Sequence, residues 1–396
     1  MEENLAPGAL VGQTAPTGAL AHAYVRVEPV PSLPPPPGTV GAIGWVRANL
    51  FSSPANTALT IVAALLAAWV LPGMVSFLLT DAVWSGADRE ACVAKNGVLP
   101  GACWAFVKDR ISFFIYGFYP IDQRWRVDLF FVLGAIGVGW MLWQNAPRRD
   151  IGMIYFLIVL PLLSYWLLGG NSWLGLSAVD TARWGGLMVT LVVAGVGIVA
   201  SLPLGILLAL GRRSKLPVVK FFSVMFIEFV RGVPLITVLF MANTMLPLFL
   251  PDNITVDKLL RALVGIGLFA SAYMAEVVRA GLQALPKGQY EGAMAMGLGY
   301  WQMMRLIVLP QALKITIPNI VNTYIGLFKD TSLLLIVGIF DFLKAIETAR
   351  VDPQWAAPTT SATGYAFAAI VYFIFCYGMA SYARSMERRL SVGDKR

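Results

Sequence analysis

The feature that most limits how this chain can fold is a series of long apolar stretches. A helix needs about twenty mostly apolar residues to cross a bilayer, whereas a barrel strand needs about ten residues of alternating polarity. The apolar runs have the length of helices and lack that alternation. They predict membrane helices at roughly 55–79, 129–145, 151–168, 184–210, 222–250, 261–283, 312–338 and 363–383. The predicted fold class is therefore an all-α integral membrane protein with about eight transmembrane helices.

The composition agrees with this fold class and argues against several functions. Charged residues make up 13% of the chain, whereas soluble domains typically carry about 25%. The net charge of +8 is explained by Lys and Arg clusters at helix ends, so no nucleic-acid partner is expected. The single histidine, His22, lies in a low-complexity segment, which argues against histidine-based catalysis. The three cysteines have no metal-binding spacing.

The positions of Lys and Arg predict which loops face the cytoplasm, because short cytoplasmic loops carry an excess of them. Eight helices with both termini in the cytoplasm put the short turn 146–150 and the later basic clusters on one side of the membrane. The loop 81–126 goes against the rule, because it would lie outside and still carries basic residues. The cytoplasmic clusters are Arg212, Arg213, Lys215, Lys220, Lys287, Arg305, Lys314, Arg384, Arg388, Arg389, Lys395 and Arg396. The basic residues of the loop are Arg89, Lys95, Lys108, Arg110, Arg124 and Arg126.

The N-terminal half divides into a tail and an accessory region. Residues 1–45 are rich in Ala, Gly and Pro, which predicts a disordered cytoplasmic tail over about 1–50. No basic segment leads directly into a short apolar run, so a cleaved signal peptide is not expected. Residues 51–183 would form an accessory N-terminal region with three transmembrane helices and the extracytoplasmic loop 81–126.

The loop 81–126 contains two of the three cysteines, Cys92 and Cys103. An oxidising compartment would allow a disulfide between them. The sequence leaves open whether they pair or remain free thiols. Cys376, in the middle of the last predicted helix, is interpreted as a small apolar packing residue.

The segment 285–311, between the sixth and seventh predicted helices, is the most polar interval in this half of the chain. Its small residues would let another protein approach the backbone closely. Gly297 can end a helix with a positive φ, and Pro310 can occupy the first turn of the next helix. The spacing E-A-A-x3-G-x9-I-x-L-P, with Gly in place of the first Ala, resembles the cytoplasmic EAA loop of ABC-importer membrane subunits. The matching positions are Glu291, Gly292, Ala293, Gly297, Ile307, Leu309 and Pro310.

The EAA resemblance implies a short helix that lies along the membrane and docks into a cleft of an ATPase. The alternative is an ordinary loop between two membrane helices. Docking is favoured, because so many matching positions seldom arise by accident.

Three more segments resemble the polar amino-acid permeases, a branch of the same importer family. The segment EFVRGVPL from Glu228 resembles E-x-x-R-G-T-P-L, with Val233 where Thr is usual. The segment SAYMAEVVRAG from Ser271 resembles S-A-Y-x-A-E-x-x-R-G-G, with Ala280 for the first Gly. The segment KDTSLL from Lys329 matches K-D-T-S-L-L.

The resemblance implies a five-helix type I ABC permease core over 184–390, preceded by three extra helices. These extra helices and their loop look like the larger membrane subunit of general L-amino-acid ABC transporters. In such importers two membrane subunits, often non-identical, form the pathway. Two ATPase subunits bind in the cytoplasm, and a periplasmic binding protein delivers the amino acid.

The chain itself is expected to be a transport subunit and not an enzyme. It contains no G-x-x-x-x-G-K-[ST] phosphate loop. We therefore expect no cofactor on this chain, with ATP and Mg bound by the partner ATPase.

Charged residues inside predicted membrane helices are candidate functional residues, because a charge is costly in lipid. Glu276 and Arg279 lie three residues apart on one helix face. They could complement a zwitterionic amino acid, although a structural ion pair is the favoured interpretation. Lys329 and Asp330 interrupt an apolar run, which indicates a broken helix or an interior pocket. For this pair, substrate contact and structural pairing are equally open.

Glu228 and Arg231 lie near the start of the fifth predicted helix, close to the cytoplasmic surface. Ion pairing at a contact with another subunit or the ATPase is favoured there over contact with substrate.

Two rival functions remain to be weighed. An ion-coupled secondary amino-acid transporter would be favoured by inverted repeats, and the second half of the chain shows none that are clear. A membrane enzyme would need a catalytic constellation that the sequence does not offer. Within the importer family, a permease for another small polar solute is the nearer alternative.

Overall fold

A computed structural model describes residues 41–94, 98–143, 148–171, 173, 175–251 and 254–392. Most of the predicted tail lies outside these ranges, as do positions 146 and 147 of the predicted turn 146–150, His22, Lys95, Lys395 and Arg396. In the described ranges every regular element is helical, and β pairing is limited to two isolated bridges, Val83 with Cys103 and Gly186 with Asp341. The all-α fold class predicted from the apolar runs is confirmed.

The α-helices are numbered here in chain order. They are α1 (Gly41–Asn49), α2 (Pro54–Val75), α3 (Trp104–Tyr116), α4 (Arg124–Leu142), α5 (Arg149–Ile154), α6 (Leu160–Gly169), α7 (Gly186–Arg212), α8 (Pro217–Gly232), α9 (Leu235–Phe240), α10 (Lys258–Ala284), α11 (Lys287–Ala295), α12 (Tyr300–Met303), α13 (Leu309–Asp330), α14 (Phe342–Ala349) and α15 (Thr360–Val392). Five-residue π-helical turns continue four of the apolar helices, at Ser76–Thr80, Tyr155–Val159, Met241–Met245 and Met304–Val308.

The chain divides into two compact units, Met1–Gly73 and Met74–Arg396. In the first unit, the last residues of the predicted tail form helix α1, which corrects the expected end of that tail. The reason is local: the last proline of the tail is Pro37, and α1 itself contains apolar residues such as Trp45 and Val46.

Within the described ranges, five helices are long and apolar enough to cross a membrane. They are Pro54–Thr80, Gly186–Arg212, Lys258–Ala284, Tyr300–Leu335 and Thr360–Arg388. The pair Pro217–Gly232 and Leu235–Phe249 would make a sixth if it is counted as one span, and Tyr155–Gly169 is a shorter apolar helix. Every predicted membrane helix therefore has a helical counterpart. The count of eight spans stays a prediction, because α4 and Tyr155–Gly169 do not meet the length and composition of a full span.

The fifth predicted span is not one straight helix. The chain bends by 104° between Gly232 and Leu235. Pro234 causes the break, since it has no backbone N–H and disfavours helical geometry in the residue before it. Val233 is accordingly extended, with φ −105° and ψ 135°. The bend lies inside the segment that resembles E-x-x-R-G-T-P-L.

The start of α7 packs closely against the end of α3 and the start of α14. Gly117 and Gly186 have positive φ, and a Cβ on Gly117 would lie 2.5 Å from the Cα of Gly185. The Gly186 N–H donates to the Phe340 carbonyl at 2.9 Å, and the Phe342 N–H donates to Thr190 Oγ1 at 3.0 Å. These contacts bring together one set of helix ends, which the predicted topology places on the extracytoplasmic side of the membrane.

Cys92 and Cys103 form a disulfide in the structure, so of the two alternatives left open by the sequence the chain adopts the paired one. Both residues are fully buried in an apolar cluster with Phe106 of α3, Phe342 of α14 and Trp355. The loop 81–126 is thus packed onto the permease core and does not stand free of it.

Polar contacts fix the disulfide-bonded loop to the first turn of α15 and to the segment between α14 and α15. The Cys103 N–H donates to Thr363 Oγ1 at 2.8 Å, and Trp355 Nε1 donates to Asp109 Oδ2 at 2.8 Å. Arg110 Nη2 lies 2.9 Å from Asp352 Oδ2. The loop is therefore held by an apolar cluster and by hydrogen bonds at its edge.

Candidate functional site

The EAA-like segment folds into a short helix, α11, that lies between two candidate membrane spans. Only Ala293 of this helix is buried, in a cluster with residues of α7, α10 and α13. Glu291, Gly292 and Gly297 are exposed, as are the nearby side chains Met294 and Met296. The helix is therefore attached along one side and presents small and flexible apolar residues on its other surfaces.

The end of α11 has the geometry that its glycine predicts. Gly297 has φ +73°, and its N–H donates to the Met294 carbonyl at 2.9 Å. The Leu298 N–H donates to the Ala293 carbonyl at 3.2 Å. A Cβ on Gly297 would meet no atom within 4 Å, so the backbone conformation, and not crowding, is what favours glycine here.

The next helix begins earlier than predicted. The candidate span starts at Tyr300 and continues through the π-helical turn Met304–Val308 into α13, so Pro310 lies inside the span while it occupies the first turn of α13, as predicted. The π-helical turn shifts the hydrogen-bond pattern just before Pro310, which accommodates the missing N–H. Ile307 and Leu309 are half-buried against the same cluster as Ala293.

Four charged residues of α8 and α10 form one network with Arg212 of α7. Arg279 Nη2 lies 2.5 Å from Glu276 Oε1, as expected for residues three apart on a helix. The second carboxylate oxygen, Glu276 Oε2, lies 3.5 Å from Arg212 Nη1 and 3.8 Å from Arg231 Nη1. Arg212 also lies 2.7 Å from Glu228 Oε1. The network joins three helices within this chain.

This network changes the interpretation of Glu228 and Arg231. In the described residues Glu228 pairs with Arg212 and Arg231 pairs with Glu276, so both ion pairs lie within this chain. Sequence reasoning treated Arg212 only as a topology marker, because nothing along the sequence shows that it faces α8 and α10.

Lys329 and Asp330 lie where the helix of the K-D-T-S-L-L segment changes type. Helix α13 ends at Asp330 and a 3₁₀ helix follows over Thr331–Leu335, which agrees with the predicted break. Lys329 is exposed and Asp330 is half-buried. Among the described residues no ion pair within 4 Å involves either side chain.

Asp341 was missed by sequence reasoning, although its position is distinctive. Its carboxylate is fully buried and accepts hydrogen bonds from the N–H groups of Leu343 and Lys344, which caps α14. Burial raises the pKa of this carboxyl to about 7. An Asp just before a short amphipathic helix is a detectable capping signal, but nothing in the sequence shows that it is buried.

No group of three or more His, Cys, Asp or Glu side chains that could hold a metal ion occurs in the part of the chain that the structure describes. Cys376 is a half-buried free thiol on α15, in keeping with a packing role.

Known proteins resemble this chain over most of its length. Residues 201–392 match the family described as binding-protein-dependent transport system inner membrane component. The inner membrane amino-acid ABC transporter permease protein YhdY of Escherichia coli K12 is 49% identical over 352 residues, which cover 89% of this chain and 94% of YhdY. The glutamate/glutamine/aspartate/asparagine transport system permease protein BztC of Rhodobacter capsulatus is 40% identical, covering 93% of this chain and 98% of BztC.

Among solved structures, an amino acid ABC transporter crystallised with histidines has a chain that is 26% identical. That match has a TM-score of 0.45 and covers 52% of this chain and 92% of the other. The two relatives that match nearly end to end decide the assignment. The chain is a multi-pass inner membrane protein that belongs to the family of amino-acid ABC transporter permeases.

Proposed function

We propose that this chain is the transmembrane permease subunit of an ATP-driven importer that moves L-amino acids from the periplasm to the cytoplasm. The observation that carries the proposal is α11, a short, largely exposed helix ended by Gly297 and placed between two apolar spans. A helix of this kind suits a docking contact with a second protein. The relatives YhdY and BztC, both named as amino-acid permeases, support the substrate class.

The proposed assembly contains three further kinds of protein. A dimer of ABC ATPases binds α11 from the cytoplasm and carries ATP and Mg, and this chain binds no cofactor of its own. A second, non-identical membrane subunit completes the pathway as a heterodimer. A periplasmic amino-acid-binding protein delivers the substrate. Both termini of this chain face the cytoplasm, and this chain is the larger of the two membrane subunits.

The proposed mechanism is mechanical. ATP binding closes the ATPase dimer, and its clefts draw the α11 helices of the two membrane subunits together. This rigid-body motion turns the interface between the subunits from inward-facing to outward-facing while the binding protein releases its amino acid. The residues proposed for ATPase coupling are Glu291, Gly292, Ala293, Gly297, Ile307, Leu309 and Pro310.

The first test is purification of the tagged chain from its native host in mild detergent, with the associated proteins identified by mass spectrometry. We expect an ATPase with a phosphate loop and a second membrane subunit with its own EAA-like segment. Reconstituted in proteoliposomes with the binding protein, the complex should accumulate amino acids only when ATP is present. A chain that purifies alone and transports amino acids with an ion gradient would overturn the proposal.

A further inference from the structure

Helix α11 is connected to the ends of α7 and α10 by one arginine and one tyrosine. Arg213, directly after α7, places its guanidinium carbon 5.4 Å from the centre of the Tyr290 ring. Its Nη1 donates to Tyr290 Oη at 3.0 Å and to the Leu282 carbonyl at 3.1 Å. Tyr290 Oη in turn donates to the Leu282 carbonyl at 3.0 Å. The contact is thus a closed triangle of polar bonds with a stacked ring.

In the described part of the chain, Arg212, the residue before Arg213, forms ion pairs with α8 and α10 and not with α11. Arg212 Nη1 lies 2.7 Å from Glu228 Oε1 on α8 and 3.5 Å from Glu276 Oε2 on α10. Two consecutive arginines at the end of α7 therefore hold α11 on one side and α8 on the other. Positive charge is also favourable at a helix C-terminus, so both side chains are well placed there.

Glu276 is the point where the network converges. Its side chain is 21% exposed and lies within 4 Å of three guanidinium groups, those of Arg212, Arg231 and Arg279. Arg231 also lies 5.7 Å from the ring of Tyr273. Planar guanidinium groups that are both stacked and hydrogen-bonded hold a fixed orientation better than an ammonium group would.

The geometry points to a relay, which we define as Tyr290, Arg213, Arg212 and Glu228. We propose that these positioning residues carry the movement of α11 to the bent pair α8 and α9. Helix α8 ends at the 104° bend, so a pull on Glu228 would move α8 as a rigid arm relative to α9. This inference rests on the proposed function, because it requires that an ATPase moves α11.

A chain of contacts is only a candidate for coupling until the coupling is measured. The test therefore compares variants of the complete complex in proteoliposomes. The variants are Arg213→Gln, Tyr290→Phe and Arg212→Gln, with Lys215→Gln as the matched control. Lys215 is an exposed basic residue in the same connection and makes no hydrogen bond or ion pair among the described residues. The measured quantities are ATPase association, the rate of ATP hydrolysis and the amino acid transported per ATP hydrolysed.

We expect Arg213→Gln and Arg212→Gln to keep the ATPase bound and to hydrolyse ATP, yet to transport about tenfold less amino acid per ATP. Tyr290→Phe retains the ring and loses only the hydroxyl contacts, so its loss should be smaller. Tyr290→Phe also tests the same contact if the Arg213→Gln variant fails to assemble. Because Arg212 and Arg213 act in one relay, the double variant Arg212→Gln/Arg213→Gln should transport only slightly less amino acid per ATP than either single variant.

The outcomes separate the two proposals. If no ATPase binds the unmodified chain, the proposed function fails. If the ATPase binds and the unmodified complex transports, but the relay variants match Lys215→Gln in transport per ATP, the relay is wrong. Losses that multiply in the double variant would likewise overturn it, because they indicate two independent contacts.

Discussion

Single residues in this chain are constrained by backbone conformation, by charge or by both. Gly297 is the clearest case of the first kind, because its φ of +73° is unfavourable for most side chains although the space around it is open. Lys329 is a case of the second kind, since it is a charge within the candidate span Tyr300–Leu335. Each position leads to a variant with a defined control.

We expect Gly297→Asp to insert in the membrane normally but to lose most ATP-driven uptake. A charged side chain would stand on the surface proposed for the ATPase, while the left-handed backbone adds about 1 kcal/mol of local strain. Gly297→Asn has the same shape without the charge, and Asn tolerates this conformation, so it should retain much more uptake. Normal uptake by a normally expressed Gly297→Asp protein would refute the docking role of α11.

We expect Lys329→Gln to raise the KM of uptake about tenfold, as the loss of one charge-assisted contact would do, while the yield of the complex stays unchanged. Lys344→Gln, which removes a Lys that pairs with Glu347 on α14, is the control. A loss of complex yield with an unchanged KM would show instead that Lys329 pairs with another subunit. Asp330→Asn, measured alongside, shows whether the neighbouring carboxylate shares the effect.

Among the elements, the loop 81–126 and helix α14 are the parts whose structure depends most on distant contacts. The disulfide closes a short loop, and the Trp355–Asp109 hydrogen bond links residues 246 positions apart. Helix α14 has only eight residues and is fixed by its cap, Asp341, and by the buried side chains of Phe342 and Ile346.

Removal of the disulfide should destabilise this region without preventing membrane insertion. We expect the double variant Cys92→Ser/Cys103→Ser to lose about 2–4 kcal/mol of unfolding free energy, measured by thermal unfolding in detergent. Cys376→Ser is the control and should change stability little. In the unfolded but unreduced wild-type protein, only one thiol should be labelled. Labelling of three thiols before reduction would contradict the disulfide.

The buried carboxyl of Asp341 should make stability depend on pH. Its pKa is raised from 3.8 to about 7, chiefly by burial, with a smaller contribution from the charge of Glu347. The folded chain therefore keeps a proton that the unfolded chain has already lost. The contribution of Asp341 to stability should be largest below about pH 4 and should fall as the pH rises to about 7, by at most about 4 kcal/mol. Asp341→Asn should remove this dependence, and an unchanged pH profile would contradict the assignment.

At the scale of the whole molecule, the contacts sort the helix ends into two groups. The ends of α7 and α10 meet α11, whereas the starts of α7 and α14 meet α3. Which of the two groups faces the cytoplasm stays a prediction from the Lys and Arg distribution.

The orientation can be tested with single cysteines in a Cys376→Ser background that keeps the disulfide. We expect Ser85→Cys to react with a membrane-impermeant thiol reagent in cells whose outer membrane alone has been opened. Lys287→Cys should react only after the inner membrane is permeabilised. Both residues are exposed, so access to the reagent is not limited by burial. Reaction of both variants under the same condition would refute the predicted topology.

The sequence predicted the features that depend on local chemistry. The apolar runs indicated membrane helices, because only helices satisfy their own backbone groups in lipid over such lengths. The spacing around Glu291 and Gly297 indicated a short helix ended by a glycine, and α11 has this form. These properties follow from residues close together along the chain, so no distant contact was needed to predict them.

The tertiary structure decided the features that depend on distant residues. Only packing could show that Cys92 pairs with Cys103, that Asp341 is buried, and that Arg212 connects Glu228 with Glu276. It also showed that the fifth apolar run bends at Pro234 and that the span containing Pro310 begins at Tyr300. Charge pairing and burial depend on which helix faces which. That choice is made when the apolar faces pack together, and it cannot be read from any one segment of the sequence.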